Sequence, residues 1–379
     1  MSAYVFPIKM AIITFPFLAL LIALPFLIVQ YRRYGSFTFV RALVLYSFVF
    51  YMLTAYFMII LPLPSVAAVA KLTTARYQLI PFTAVREFFN TSGFALASPG
   101  TWPGALRSAS FLQPAFNMLL TLPFGFYLRY YFRRSWKQVL LMSFGLSLFF
   151  ELTQLSGLYF IYPRPYRLFD VDDLIVNTLG GMLGYYLTPL IRRAFPSRER
   201  MDAQSYERGK KVGWLRRFVA FLVDYVVIGG IVRFLLELGL HALHVRATTS
   251  ARWSYVLMIA IVFGLLAGRD GATLGKSLVR LRVTGASGET QWWRAPLRYA
   301  LLYYFCLPIW QLWLSESSMV LTEISKRTQL NFIIVGILSL FVLFFSADVV
   351  WTLVHRDGRL FYDDWAQTRL ISTAPTKAK

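Results

Sequence analysis

Hydrophobic residues run along this chain in nine long blocks, at residues 8–30, 39–61, 111–128, 137–157, 171–191, 217–240, 253–267, 297–314 and 331–354. Each is long enough, or nearly so, for an α-helix to cross a hydrocarbon core of about 30 Å. The pattern predicts an all-α, polytopic integral membrane protein with about nine transmembrane helices in two helical bundles. Pro16, Pro25 and Pro123 fall inside the blocks, where neighbouring bilayer helices allow a kink instead of an end.

Charge between the blocks predicts their orientation. Arg32, Arg33 and Arg41 flank the first gap, and Arg129, Arg133, Arg134 and Lys137 the third, so both read as cytoplasmic. The gap at 62–110 is long and mixed, and that at 157–170 balances Arg164 and Arg167 against acids, so both read as outside. The N-terminus is therefore expected outside and the C-terminus inside. Because Lys9 is the only charge early in the first block, that block is expected to be an uncleaved anchor. Hydrophobicity collapses after residue 191, which divides the chain into a five-helix domain at 1–195, a basic cytoplasmic linker at 196–213, a four-helix domain at 214–372 and a tail at 373–379.

Composition narrows the function. With 57% hydrophobic and 17% aromatic residues, the chain is too apolar for a soluble protein. Its net charge of +21 lies in short clusters between blocks, a placement that sets topology and attracts anionic membrane lipids and that argues against nucleic acid. Cys306 is the single cysteine, which excludes an intrachain disulfide, and His241, His244 and His355 are the only imidazoles. A His/Cys metal site is not expected, and no cofactor is implied.

Candidate chemistry gathers at residues 151–184. Glu151 and Gln154 close the fourth block one helical turn apart, hence on one face. Asp173, Asn177, Gly180 and Gly184 recur at steps of four, three and four along the fifth, with Gly181 beside them, a polar and small-residue seam that suits a close helix partner and not lipid. An acid near a helix centre costs roughly 2.5–3.5 kcal/mol on insertion scales, so Glu151 and the Asp173 seam are expected to face each other or a wet cavity. Glu151, Gln154 and Asn177 could hold an amide, a sugar hydroxyl or a cation, or simply clamp the two helices. Asp170, Asp172 and Asp173 beside Arg164 and Arg167 leave three readings: a helix cap with ion pairs, a headgroup site, or a hard-cation site.

This stretch resembles the VanZ-like family, whose pattern is a Glu-x-x-Gln ending one membrane helix, an Arg before an Asp-rich turn, then Asn and a Gly-rich helix. Glu151, Gln154, Arg167, Asp170, Asp172, Asp173, Asn177, Gly180, Gly181 and Gly184 match it. Leu79-Ile80-Pro81-Phe82, Asn117 and Pro123-Phe124-Gly125 match earlier features, over roughly residues 10–190. The resemblance implies a bacterial plasma-membrane protein that lowers susceptibility to glycopeptides such as teicoplanin, with a lipid-linked cell-wall precursor or the glycopeptide itself as partner and no established reaction.

In the second half, Asp224 lies about two turns into the sixth block with Arg217 seven residues before it, and Arg298 is a further candidate partner. Asp348 is another acid that needs one. The segment 270–277 has the Gly-Lys-Ser ending of a phosphate loop but carries Asp270 where that loop needs Gly, and it follows a membrane block instead of a strand. Leu274, Leu278 and Leu281 with Lys276, Arg280 and Arg282 suggest instead an amphipathic element meeting anionic lipid at the cytoplasmic surface. This half resembles the RDD family on Arg217, Ala220 and Asp224, on Asp270, Gly271, Thr273, Leu274, Gly275 and Lys276, on Arg282-Val283 and on Asp363 and Thr368, over roughly 214–372. Tyr362 stands where that pattern has His if Asp363 is the aligned acid, Asp364 being the alternative. The resemblance implies ion or proton-coupled transport.

Neither half carries H-E-x-x-H, G-x-S-x-G or paired-histidine phosphatase motifs. The expected function is a non-catalytic envelope protein with an outward-facing polar pocket for a lipid or precursor headgroup. The alternatives are a cation or proton transporter centred on Asp224 and a metal-dependent lipid-modifying enzyme using residues 170–173.

Overall fold

The computed structural model describes residues 2–265, 271–285, 293–322, 329–355 and 359–375. Helices dominate. The long ones are α1 (Ser2–Tyr34), α2 (Phe39–Ile60), α3 (Ala109–Tyr130), α4 (Trp136–Leu155) and α5 (Val171–Ile191), then α6 (Trp214–Ala242), α7 (Ala247–Leu265), α8 (residues 294–322) and α9 (Gln329–His355). Among the described residues seven helices are long and apolar enough to cross a membrane, all of these except α3 and α8. The other two blocks also fold as long helices, but Gln113, Asn117 and Thr121 dilute the apolar character of α3, as Arg294, Arg298 and Glu316 do that of α8. The linker stretch contains a polar helix, Arg198–Gly209.

The chain divides into two compact units, one of residues Met1–Ile22 and Phe39–Met201, the other of Ala23–Thr38 and Asp202–Lys379. In the first, α5 is packed against α3 and α4, and glycines set the approach. A Cβ on Gly184 would lie 1.9 Å from the Leu122 carbonyl oxygen, and one on Gly125 would lie 1.7 Å from that of Gly181. On the α4 side, a Cβ on Gly181 would meet Ser143 Oγ at 2.1 Å. No side chain fits at these positions: backbone meets backbone between α3 and α5, and the Ser143 side chain of α4 rests on the bare backbone of Gly181. At the N-terminal end of α5 the two connections expected outside form one layer. Tyr77–Gln78 pairs in parallel with Phe169–Asp170, Tyr162 donates its hydroxyl to the Pro64 carbonyl at 2.8 Å, and Tyr166 to that of Ile60 at 3.0 Å.

In the second unit α6, α7 and α8 each contain a π-helical turn, at Leu222–Ile228, Ala260–Leu265 and Leu301–Cys306. A core of Met258, Ile259, Val262, Phe263, Tyr299 and Tyr303 is built on two of them, with Phe263 and Tyr303 stacked at 3.9 Å. The expected amphipathic element is corrected here. Only Leu274–Leu278 is helical, and Leu281–Gly285 is a strand paired antiparallel with Thr368–Ser372. Leu281 and Val283 are buried, and Lys276 points into the protein instead of meeting lipid. A strand satisfies its backbone by pairing, so the stretch need not lie on a membrane surface.

The glycine seam gives a direct expectation. Gly184→Ala should cost about 1–3 kcal/mol through overpacking against the Leu122 backbone, read as a lower melting temperature of the purified protein in detergent. Gly145→Ala, where a Cβ meets nothing within 4 Å, should be neutral or stabilising.

Candidate functional site

The first unit concentrates its polar chemistry at the N-terminal end of α5. Asp170 is the N-cap, its side chain accepting from the Asp172 amide at 2.8 Å, and Asp172 and Asp173 occupy the first turn, where carboxylates complement the unpaired N–H groups. From α4, Ser143, Ser147 and Glu151 present one face at steps of four, all buried. Glu151, 3% exposed, accepts from the Asp170 amide at 3.0 Å. Ser147 Oγ donates to the Asp173 carbonyl at 3.2 Å and accepts from Asn177 Nδ2 at 3.0 Å. From α3, Asn117 Nδ2 donates to Asp173 Oδ1 at 2.7 Å, and Thr121 Oγ1 to the Asn177 carbonyl at 2.8 Å. Asn177 Oδ1 is buried with no partner among the described residues. Glu151, Asp170, Asp173 and Asn177 thus share one seam between three helices.

The other predicted residues lie elsewhere in the hydrogen-bond pattern. Gln154 donates to the Ile59 carbonyl at 3.2 Å, tying α4 to α2. Asp172 accepts from the Phe82 and Ala84 amides at 2.6 and 2.7 Å and so holds the start of helix Thr83–Thr91. The ion pairs considered for Arg164 and Arg167 are corrected: Arg164 donates to the Leu72 and Thr74 carbonyls and Arg167 to that of Leu61 at 2.9 Å. Carbonyls in the connection that follows α2 need donors, and a guanidinium supplies several at once. No Lys, Arg or His among the described residues lies within 4.0 Å of a carboxylate oxygen of Glu151, Asp170, Asp172 or Asp173. Burial raises the Asp170 carboxyl above its usual range, opposed by the Asp172 amide and reinforced by the Asp172 charge. Among the described residues no group of three or more His, Cys, Asp or Glu is placed to hold a metal.

The second unit has its own ionic cluster. Asp224, fully buried in the π-helical turn of α6, accepts from Thr273 Oγ1 and from the Gly275 amide at 2.6 Å, with Lys276 Nζ at 3.6 Å. Gly275 is required there, since a Cβ would lie 2.5 Å from the Ala220 carbonyl oxygen. Burial pushes the Lys276 ammonium down to about 8, with Asp224 pulling it back up. Arg298 pairs with Asp363, both nearly inaccessible, and Thr368 Oγ1 donates to Asp363 Oδ1 at 3.4 Å. The expectation that Arg217 or Arg298 answers Asp224 is therefore corrected. Of the two acids left open at the C-terminus, Asp363 is the buried one, and Asp364 is exposed and pairs with Arg359 at 3.4 Å. Tyr362 lies under the Arg298 guanidinium at 5.4 Å, and Lys276 Nζ is 4.7 Å from the Tyr299 ring, whose hydroxyl donates to the Gly271 carbonyl at 2.7 Å. Arg217 keeps Nε and Nη1 buried without hydrogen-bond partners among the described residues, and Asp348 accepts from the Phe361 amide at 2.9 Å. Asp270 lies outside the described residues.

Several organising residues escaped the sequence reading. Ser143 and Ser147 lie on the Glu151 face and could have been found from that spacing. Arg216, 1% exposed, donates to the carbonyls of Gly209, Val279 and Arg280 and to Ser372 Oγ. It belongs to the buried stripe Arg216, Val219, Ala220, Val223, Asp224, a helical period in which a charge was easily taken for surface.

No curated protein and no solved structure matches the chain. Two family models do, one described as VanZ/LLP1 over residues 48–192 and one as the RDD family over residues 211–367. The first spans α3 to α5 with the carboxylate seam, and the second spans both buried ion pairs of the second unit. The chain is a multi-pass membrane protein that carries a VanZ-like domain followed by an RDD family domain.

Proposed function

We propose that the chain is a non-catalytic cell-envelope protein whose VanZ-like half holds the polar headgroup of a lipid, or of a lipid-linked cell-wall precursor, at the extracytoplasmic end of α5. The observation that carries this reading is the company of the acids. Glu151 is buried and Asp170 and Asp173 are half-buried beside it, and among the described residues none of the three has a cationic side chain within 4.0 Å. Buried carboxylates without a counter-charge favour incoming hydroxyl, ammonium or amide donors. Asn177 Oδ1 offers a further acceptor, and exposed Arg167 at the rim suits a phosphate. Sugar hydroxyls or an amine next to a phosphate combine these features. Asp170 and Asp172 serve helix caps, which is why the metal-dependent reading is not favoured.

A second reading, cation or proton transport by the RDD half, is favoured by Asp224 lying in a π-helical turn, 3.6 Å from the Lys276 ammonium that burial lowers to about 8. Such turns are frequent at functional sites.

Two experiments separate the readings. Glu151→Gln and Asp173→Asn should leave membrane insertion unchanged while removing glycopeptide tolerance conferred by the expressed protein. Full tolerance in both variants would eliminate the headgroup site. For transport, the purified chain in vesicles should give a pH- or sodium-dependent flux that Asp224→Asn removes and Lys276→Gln shifts in pH dependence; flux no greater than that of empty vesicles rules this reading out.

A further inference from the structure

The other end of α5 carries a feature that the carboxylate seam does not explain. A cavity of about 540 Å³ opens there, walled by the end of α3, the α3–α4 turn, the end of α5 and residues 192–199. The volume lies within the range of small-molecule sites. Its lining includes Arg129, Arg133, Arg134, Arg192, Arg193 and Arg198, against one carboxylate, Glu199. Cations at helix C-termini and on a cytoplasmic surface are ordinary. Six converging on one concavity are not accounted for by either effect, because like charges at close range repel.

The cluster is partly built and partly open. Arg129 is fixed in place, donating to the Tyr185 carbonyl at 2.8 Å with its guanidinium 4.2 Å from the Tyr185 ring. Arg198 donates to the Tyr131 carbonyl, and Glu199 is engaged by Arg133. Arg133 itself sits in the left-handed region at φ 55°, and the Arg134 amide bonds back to the Leu128 carbonyl at 2.9 Å. This is the position where helices usually end on glycine, and it turns two consecutive arginines toward the cavity. The side chains of Arg134, Arg192 and Arg193 have no partner among the described residues. Planar, multiply donating guanidiniums that lack carboxylates match the oxygens of a phosphate.

We propose that this cavity is a binding site for a phosphate monoanion or dianion, brought either by the headgroup of an anionic phospholipid or by a free phosphorylated solute. The site is independent of the headgroup seam, which lies at the opposite end of the same helix. It would fix the first unit against the membrane surface, since basic groups near an anionic leaflet are drawn to it.

The full-length protein is purified in neutral detergent with added phosphatidylglycerol or phosphatidylcholine, and retained lipid and melting temperature are measured, the latter also with inorganic phosphate. Wild type should retain phosphatidylglycerol saturably over phosphatidylcholine. The combined Arg134→Gln, Arg192→Gln, Arg193→Gln variant should lose about tenfold or more of that affinity. Glu199→Gln, which removes the competing carboxylate, should tighten binding about two- to fivefold. If the ligand is a soluble phosphate, inorganic phosphate stabilises wild type and not the triple variant while phosphatidylglycerol has no effect. Equal retention and equal phosphate response in wild type and the triple variant, or neither ligand bound by wild type, would overturn the proposal. Should the triple variant fail to fold, unchanged affinity in Glu199→Gln would overturn it instead.

Discussion

An ionised group submerged in hydrocarbon must be matched with donors or with charge, and each half of this chain is arranged around acids under that constraint. The VanZ-like half matches them with neutral donors. Asn117 answers Asp173 and the Asp170 amide answers Glu151. Such donors reach the acids only because Gly125, Gly180, Gly181 and Gly184 let α3 and α4 close on the backbone of α5. The small residues and the acids are thus one device: the first creates the depth, the second requires it.

The RDD half meets the same constraint with opposite charges. Asp224 faces Lys276 and Asp363 faces Arg298, and Tyr299 lies beside both cations. Removing one partner of such a pair leaves an uncompensated buried charge, typically worth about 3–5 kcal/mol. An exposed pair such as Arg133–Glu199 contributes far less. The contrast bears on function. A cluster that neutralises itself has its charges already matched, whereas carboxylates held by amides alone retain capacity for an outside donor.

Much of this was legible in the sequence because the hydrophobic period and the membrane constraint act locally. Within the described residues the nine blocks all fold as long helices, and the steps of four and three in Asp173, Asn177, Gly180 and Gly184 correspond to one packed face. Partner choice was less legible. Arg164 and Arg167 stand next to aspartates in sequence yet serve loop carbonyls of the α2 connection, because unpaired backbone oxygens in a long loop are invisible in composition. Lys276 read as a lipid-facing cation because its neighbours alternate basic and apolar; strand pairing across about ninety residues, Leu281 with Ser372, decides otherwise. The second half of α1 packs with the second unit through Tyr31 and Leu27, and an apolar block carries no mark of which bundle receives it.

Glu151 and Asp173 are matched by neutral donors, which is why we propose that they receive a headgroup. An experimental structure of the full chain in lipid nanodiscs tests it most directly. The expected result is Asn117 and the Asp170 amide on these carboxylates, with headgroup density within hydrogen-bonding distance of them on the side of Arg167. Carboxylates turned apart toward acyl chains, or a lysine or arginine seated between them, would contradict it.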